Sequence, residues 1–248
     1  MGQLEGKTAV VTGGSTGIGL AAAARLASEG AHVFITGRRK EALDRAVESI
    51  GSAVTAVPGD IAEPADLDRL YDAIRDRGQG LDVLFANAGM ATLAPLAEAT
   101  EEQFDQIFGV NVRGTLLTVQ KALPLLNDGA SVILNDSIRA DDGWETFGLY
   151  SASKAAIRSL ARTLANELKG SGIRVNTVAP GAIDTPGVDT AVGEENAAAV
   201  KADLATGVPI GRMGRPEEVA AAVAFLASAD SSFMFGTTLY VDGGEKQF

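Results

Sequence analysis

The chain of 248 residues has no cysteine and one histidine, and these two shortages exclude a good deal of chemistry. Without cysteine there is no disulfide, no thiol nucleophile and no thiolate zinc site. With His32 alone, a multi-histidine metal centre cannot be assembled either, so no metal is expected. Basic residues are few beside acidic ones, 21 against 32, for a formal net charge of −11. A surface that grips nucleic acid or an anionic membrane needs the opposite balance, so neither is an expected partner. Long apolar runs are also missing. The longest uncharged stretch, 8–24, is interrupted by glycines and hydroxyls, and no charged head precedes an apolar signal-peptide core. A cytoplasmic location is the resulting expectation.

What is present is an alternation of strand-like and helical segments. Apolar, β-branched runs fall at 8–12, 32–36, 53–57, 81–86, 131–135, 173–178 and 237–241. Most carry few charges, as strands buried on both faces of a parallel sheet should. Helical patterns lie near 17–29, 40–50, 64–77, 101–126, 150–169 and 216–228, several with readable starts such as Pro216-Glu217-Glu218. This alternation predicts an α/β fold: a doubly wound, Rossmann-type, seven-stranded parallel sheet with helices on both faces. With no repeat or linker, residues 1–248 are expected to form one domain. The segment at about 180–207 breaks the rhythm and is expected to be a substrate lid or binding loop.

Glycine is concentrated where the first strand meets the first helix, at positions 13, 14, 17 and 19 of VVTGGSTGIGLAAAA. Glycine in ordered structure costs about 0.5–1 kcal/mol relative to alanine, so the cluster implies a close approach to bare backbone. A helix N-terminus there offers free amides and the positive end of its dipole to a pyrophosphate. The candidate cradle is Gly13, Ser15, Thr16, Gly17, Ile18 and Gly19. Gly13-Gly14-Ser15-Thr16-Gly17 also fits the G-x-S-x-G elbow of hydrolases. That mechanism needs an acid and then a histidine downstream, and no histidine follows His32, which reads as structural. The hydrolase reading fails on inventory.

In dinucleotide sites a carboxylate roughly 20 residues past the glycines binds the ribose of NAD, whereas arginine suits the phosphate of NADP. Here that count reaches Gly37, Arg38 and Arg39. A guanidinium fork matches a phosphate, so NADP(H) is expected over NAD(H), the alternative being two solvated arginines at a helix start.

Three later stretches, LFANAG (84–89), LNDS (134–137) and YSASK (150–154), end strands or open a helix beside that turn. Tyr150 and Lys154 lie at i and i+4 on one helix face. An unperturbed phenol is a poor proton shuttle at neutral pH, and an adjacent ammonium favours the phenolate. Ser137, a neutral hydroxyl at a strand end, can donate to a carbonyl oxygen as negative charge develops there.

In these motifs, with GDI (59–61), Asn111 in VNV, APGAIDT (179–185), RMGRPEEVAAAVAFLAS (212–228) and VDGG (241–244), the chain resembles the short-chain dehydrogenase/reductase family over essentially its full length. It is most similar in appearance to the NADPH-dependent ketone reductases and secondary-alcohol dehydrogenases of that family. The resemblance implies that Tyr150 is the acid in ketone reduction and the base in alcohol oxidation. Lys154 then assists it and bonds the nicotinamide ribose, Ser137 polarises the carbonyl, and Asn111 holds a water relaying protons to Lys154. It also implies cofactor contacts at Asp60, Ile61, Asn87, Ala88, Gly89 and Val110, and at Pro180, Gly181, Ile183 and Thr185 around the nicotinamide. Hydride passes directly to carbon, so no metal is required. Homotetramers or homodimers are implied, paired through the helices at 101–126 and 150–169.

Two positions depart from the family pattern. Ala86 stands where a second Asn is common, and Asp136 where Ser is common. Strand alternation points Asp136 away from Ser137. The segment 138–149 carries Asp141, Asp142 and Glu145, which either attract a cationic substrate or form a solvated loop. Trp144 and Leu149 either line the pocket or pack. The expected activity is hydride transfer between NADP(H) and a small-molecule carbonyl or secondary alcohol. A 3-oxoacyl-thioester reductase and a non-catalytic NADP-binding sensor are the alternatives. The full set Asn111, Ser137, Tyr150 and Lys154 favours the enzyme, because a sensor has no need of it.

Overall fold

Seven runs of β-branched and apolar residues assemble into one parallel sheet in the computed structural model, which describes residues 2–247. The strands are β1 (Thr8–Thr12), β2 (His32–Gly37), β3 (Val54–Pro58), β4 (Leu81–Ala86), β5 (Leu126–Asn135), β6 (Arg174–Pro180) and β7 (Thr238–Val241). Their order is β3-β2-β1-β4-β5-β6-β7, and every neighbouring pair is parallel. The helices are α1 (Gly17–Ser28), α2 (Lys40–Ile50), α3 (Pro64–Arg77), α4 (Glu101–Ile107), α5 (Thr115–Ala122), α6 (Gly148–Glu167), α7 (Pro186–Val192), α8 (Glu194–Thr206) and α9 (Pro216–Ala227).

Strand alternation sorts the core into two layers. On one face Val11, Ile35, Phe85 and Ile133 pack with Ala22 and Leu26 of α1 and with Val219, Val223 and Leu226 of α9. On the other, Val10, Leu84 and Val132 meet Leu67, Leu70 and Ile74 of α3, Val119 of α5, and Ile157 and Ala161 of α6. This is the doubly wound architecture expected. β1 is buried at all five positions, as a central strand covered on both faces must be. The chain runs outward from β1 to β3 and then returns to place β4 on the other side of β1. That reversal is a topological switch point, where the strand C-termini open a crevice.

Three local features differ from the sequence expectation. The helix expected over 101–126 is α4 and α5 separated by a π-helical segment, Phe108–Gly114, and it ends at Ala122 because Leu123–Leu125 tightens into a 3-10 turn containing Pro124. Gly114 is needed there, since a Cβ would lie 2.9 Å from the Ile61 side chain. β5 begins at Leu126, five residues earlier than expected, and its pairing with β4 is irregular between Leu126 and Ser131. The 180–207 segment holds two helices, α7 and α8. α8 lacks a one-sided apolar stripe, the signal by which a helix is read from sequence.

Candidate active site

At the end of β1 the chain turns through Gly13 and Gly17, with φ of +65° and +55°, a left-handed conformation costly for any residue with a Cβ. Gly19 is fixed by space: a Cβ would lie 2.1 Å from the Gly13 carbonyl oxygen. A Cβ on Gly13 would be 3.0 Å from both the Ala88 Cα and the Asn87 Nδ2. Thr16 is the N-cap of α1, yet its hydroxyl makes no capping bond. The N-terminal amides of α1 therefore face the crevice with a free hydroxyl beside them, an arrangement that fits a pyrophosphate.

Neutral hydrogen bonds tie this turn to β4 and β5. The Thr12 hydroxyl accepts from the Asn87 and Ala88 main-chain amides at 3.0 Å, and the Asn87 side chain donates to the Thr12 carbonyl at 2.9 Å. Asn135 then donates to Asn87 Oδ1 at 2.9 Å, and the Asn135 carbonyl accepts from Lys154 Nζ at 2.8 Å. Asn135, at the end of β5, fills a bridging place that the motifs alone did not single out. Its Oδ1 is buried and has no partner among the described residues, which leaves an acceptor for a ligand group in the crevice.

α6 carries Tyr150 and Lys154 on one face, with Lys154 Nζ 5.6 Å from the Tyr150 ring centroid and the lysine only 5% exposed. Asn111 lies in the π-helical segment, 1% exposed. Its side-chain amide bonds both main-chain groups of Met90, at 2.8 and 2.9 Å, and the Ser153 hydroxyl at 3.0 Å. Ser153 in turn donates to the Tyr150 carbonyl at 2.7 Å. The Asn111 side chain thus locks the loop after β4 to the first turn of α6. Gly89 keeps the space between them open: a Cβ would sit 3.2 Å from Asn111 Oδ1 and 3.6 Å from Lys154 Nζ.

Ser137 lies two residues beyond β5, as the N-cap of a 3-10 turn over Ile138–Ala140, with its hydroxyl oxygen accepting from the Arg139 amide at 3.1 Å. That bond occupies a lone pair and leaves the O–H free to donate.

Two acids of the exposed segment, Asp141 and Asp142, are held in ion pairs, while Glu145 is exposed. Asp136, whose side chain is fully buried, takes Arg158 Nε at 2.5 Å. Arg158 also pairs with Asp141, reaches the Ser137 carbonyl at 3.2 Å, and lies 3.3 Å from the Tyr240 hydroxyl. Asp142 pairs with Arg139 at 2.5 Å. Burial pushes the Asp136 carboxyl above its ordinary value despite Arg158 and Lys154, which pull it down. The hydrogen bond from Arg158 holds Asp141 below its ordinary value. Both residues lie beyond the end of β5 at Asn135, and Arg158 bridges the Asp136 carboxylate and the Ser137 carbonyl.

Among the expected cofactor contacts, the glycine turn, Asn87 to Gly89 and Pro180 to Thr185 all converge on the strand C-termini. The methyl side of Thr185 lies against Gly17, where a Cβ would come 3.3 Å from it. Ile61 and Ile183 instead bury most of their side chains, against Gly114 and Gly214. Val110 is half-buried in the α3–α6 core layer. Arg38 is mostly exposed and 4.0 Å from Asp60, and Arg39 is the N-cap of α2. His32 accepts or donates one bond to Thr55 at 2.9 Å and stacks edge-on to Phe34, far along the sheet from the crevice, in keeping with a structural residue. Among the described residues, no helix is long and apolar enough to cross a membrane.

A switch-point crevice with a glycine-lined helix N-terminus and a tyrosine one turn from a buried lysine defines a nucleotide-dependent oxidoreductase of the Rossmann class. Comparison with known proteins carries this one step further. The family model described as enoyl-(acyl carrier protein) reductase matches residues 13–246. Oxidoreductase asL5 of Sarocladium schorii is 49% identical over 99% of this chain and 98% of its own length. The NADP-dependent (R)-specific alcohol dehydrogenase of Lentilactobacillus kefiri is 35% identical over 98% and 97%. The crystal structure of a 3-ketoacyl-(acyl-carrier-protein) reductase from Brucella melitensis complexed with NADH superposes with a TM-score of 0.91 at 33% identity, covering 98% of this chain and 99% of that one. The chain belongs to the short-chain dehydrogenase/reductase family of oxidoreductases, whose members bind nicotinamide cofactors and act on small molecules.

Proposed function

We propose that the protein interconverts a small carbonyl compound and its secondary alcohol with NADP(H), using Tyr150 as general acid and base. The observation that carries this reading is the buried Lys154 ammonium, anchored on the Asn135 carbonyl one turn from Tyr150. The nicotinamide, when bound, supplies or accepts the hydride. In the reducing direction the Ser137 O–H donates to the substrate carbonyl oxygen, and Tyr150 delivers its proton to the same oxygen as carbon–oxygen π bonding is lost. Lys154 keeps N–H groups beyond the one given to Asn135, and these hold the cofactor ribose and help return a proton to the phenolate. Because the Asn111 side chain is engaged by Met90 and Ser153, a relay water at this position takes its bond from main chain of the π-helical segment.

The exposed Arg38 and Arg39 support NADP(H): the nearest carboxylate to Arg38 is 4.0 Å away, so a phosphate would meet an uncommitted guanidinium. The alcohol dehydrogenase relative is NADP-dependent, which supports the same choice. α7 and α8 are assigned as the substrate cover, held to the loop before them where Lys201 bonds Asp184 at 2.8 Å and Asp189 at 2.6 Å. A homotetramer or homodimer is supported by apolar side chains left exposed on α4 and α5 (Phe104, Leu116) and beside β7 (Phe233, Phe235). Light scattering giving a monomer would remove that assignment.

The deciding experiment is consumption of NADPH and NADH across a carbonyl panel that includes a 3-oxoacyl thioester. That second substrate class is favoured by the structural neighbour described as a 3-ketoacyl-(acyl-carrier-protein) reductase. NADPH-dependent turnover supports the proposal; nucleotide binding without turnover supports a sensor instead.

A further inference from the structure

One charged cluster at the crevice is built from residues 106 positions apart and has no part in the proton-transfer set. Arg139, two residues beyond Ser137, is 7% exposed. Its guanidinium has three partners: Asp142 at 2.5 Å, Glu245 from the C-terminal segment, and the face of Trp144, whose ring centroid is 3.7 Å from Cζ. The second Glu245 oxygen accepts the Ala182 amide at 3.0 Å, in the loop assigned to the nicotinamide. Space has been cleared for this contact: a Cβ on Gly181 would lie 2.9 Å from Glu245 Oε2 and 2.8 Å from the Asp242 Cα. The C-terminal segment is itself fixed, because Asp242 accepts from the Gly244 and Lys246 amides at 3.0 Å and the Val241 carbonyl accepts from Gly181 at 3.1 Å.

We propose that Arg139 and Glu245 form a clamp that holds the exposed Trp144 beside the nicotinamide-side loop as a wall of the substrate cleft, so that the C-terminal segment sets substrate fit. The inference rests on the carbonyl-oxidoreductase reading above. Two carboxylates and an aromatic face engage the whole guanidinium, so Arg139 does not itself bind substrate; it acts through Trp144. Trp144 leads on to the proton donor through a run of edge-on rings, with Trp144–Phe147 centroids 6.0 Å apart and Phe147–Tyr150 centroids 6.1 Å apart. Between them Thr146 has φ of +68°, the one positive φ outside glycine among the described residues, in a β-branched side chain that rarely adopts it. Such a backbone persists only where its surroundings hold it. The Ala94 amide, bonded to the Thr146 carbonyl at 3.0 Å, holds it from one side, and the Arg139–Trp144 stack from the other. Buried ion pairs are weak contributors to stability but strong determinants of geometry, which suits a positioning role.

Trp144 is the single tryptophan of the chain, so its emission reports on the clamp in nucleotide-free protein, independently of any activity. In Glu245→Ala the emission maximum is expected to move to longer wavelength and acrylamide quenching to rise about twofold, while KM for the carbonyl substrate rises about tenfold and kcat stays within about twofold. Glu245→Gln is nearly isosteric and keeps an acceptor for the Ala182 amide; it is expected to move both readouts part of the way, and it decides the matter if the alanine variant does not fold. Arg139→Lys keeps the charge but not the flat stack, and is expected to match Glu245→Ala in fluorescence. The double variant Arg139→Ala/Glu245→Ala should be no worse than its worse parent. Unchanged emission and quenching, a changed emission with unchanged KM, or additive effects in the double variant would each overturn the clamp. If no carbonyl compound is turned over by the wild type, the functional reading fails, and the nucleotide-free fluorescence still decides the clamp.

Discussion

On the β1 side of the crevice, Thr12, Asn87 and Asn135 are joined by neutral hydrogen bonds of 2.9–3.0 Å, and glycines leave the main chain bare. On the β5–β7 side, two arginines, Arg139 and Arg158, are shared among Asp136, Asp141, Asp142 and Glu245. On the proposed function, the difference follows from what each side does. A site for a diphosphate keeps its amides unopposed, so carboxylates are kept out of it. The side that shapes a substrate cleft instead fixes loops of irregular backbone, and directional charge pairs do that where little apolar area is available for packing.

The sharpest way to test this contrast is Arg158→Ala, which leaves the Asp136 carboxylate buried and unpartnered. Chemical denaturation should give a loss of about 3–5 kcal/mol at neutral pH. Burial already raises the Asp136 carboxyl, and removing the guanidinium raises it further. In the variant, folding then takes up a proton as pH falls towards the carboxylate range, so the deficit against wild type shrinks on acidification. A loss under about 1 kcal/mol would mean that the charged side is held by packing after all. Next in size is Tyr150→Phe, which should lower kcat by at least about 10²-fold while leaving nucleotide binding intact; near wild-type turnover would remove Tyr150 from its role. On the neutral side, Gly19→Ala drives a methyl group into the Gly13 carbonyl. It should cost about 1–3 kcal/mol of stability by overpacking, and calorimetry should give weaker nucleotide affinity. Wild-type affinity would mean that the bare backbone is not the diphosphate site. Replacing Arg38 and Arg39 with alanine should reduce the NADPH-to-NADH ratio of kcat/KM by about tenfold to a hundredfold, the worth of one or two charged hydrogen bonds. An unchanged ratio would return them to solvated surface.

The smallest effect belongs to His32. Burial, with a contribution from Arg77, lowers its pKa, so the unfolded chain binds more protons as pH falls through the histidine range. Stability therefore declines slightly on acidification there, and His32→Asn should flatten that part of the pH–stability curve without altering the rate profile.

The same contrast governs what could be read from the sequence. The glycine turn, the strand positions and the Tyr150–Lys154 spacing rest on local rules, a period of two or 3.6 and a cluster of small residues, and these are written in adjacent letters. The partnerships of Asp136 with Arg158 and of Arg139 with Glu245 are not local, and nothing at either position announces the other. The acidic run at 141–145 therefore reads as a solvated loop or a cation trap, although two of its three acids are paired with arginines. Arg158 did leave one trace, four residues after Lys154 on the same face of α6. Asn135 was hidden by standing next to motif residues that carry the chemistry. Within 180–207, α8 is hard to read because it shows no one-sided stripe, and α7 because it spans only seven residues.

The stretch from Glu101 to Ala122 has consequences beyond the site itself. Its π-helical turns behave as one surplus residue set into a spiral that would otherwise run at the ordinary pitch. Excising a single residue from Phe108–Gly114 would restore that pitch by closing the wide turn in which Asn111 sits. Asn111 would then lose either Met90 or Ser153, so this helix can exchange side chains far more freely than it can change length.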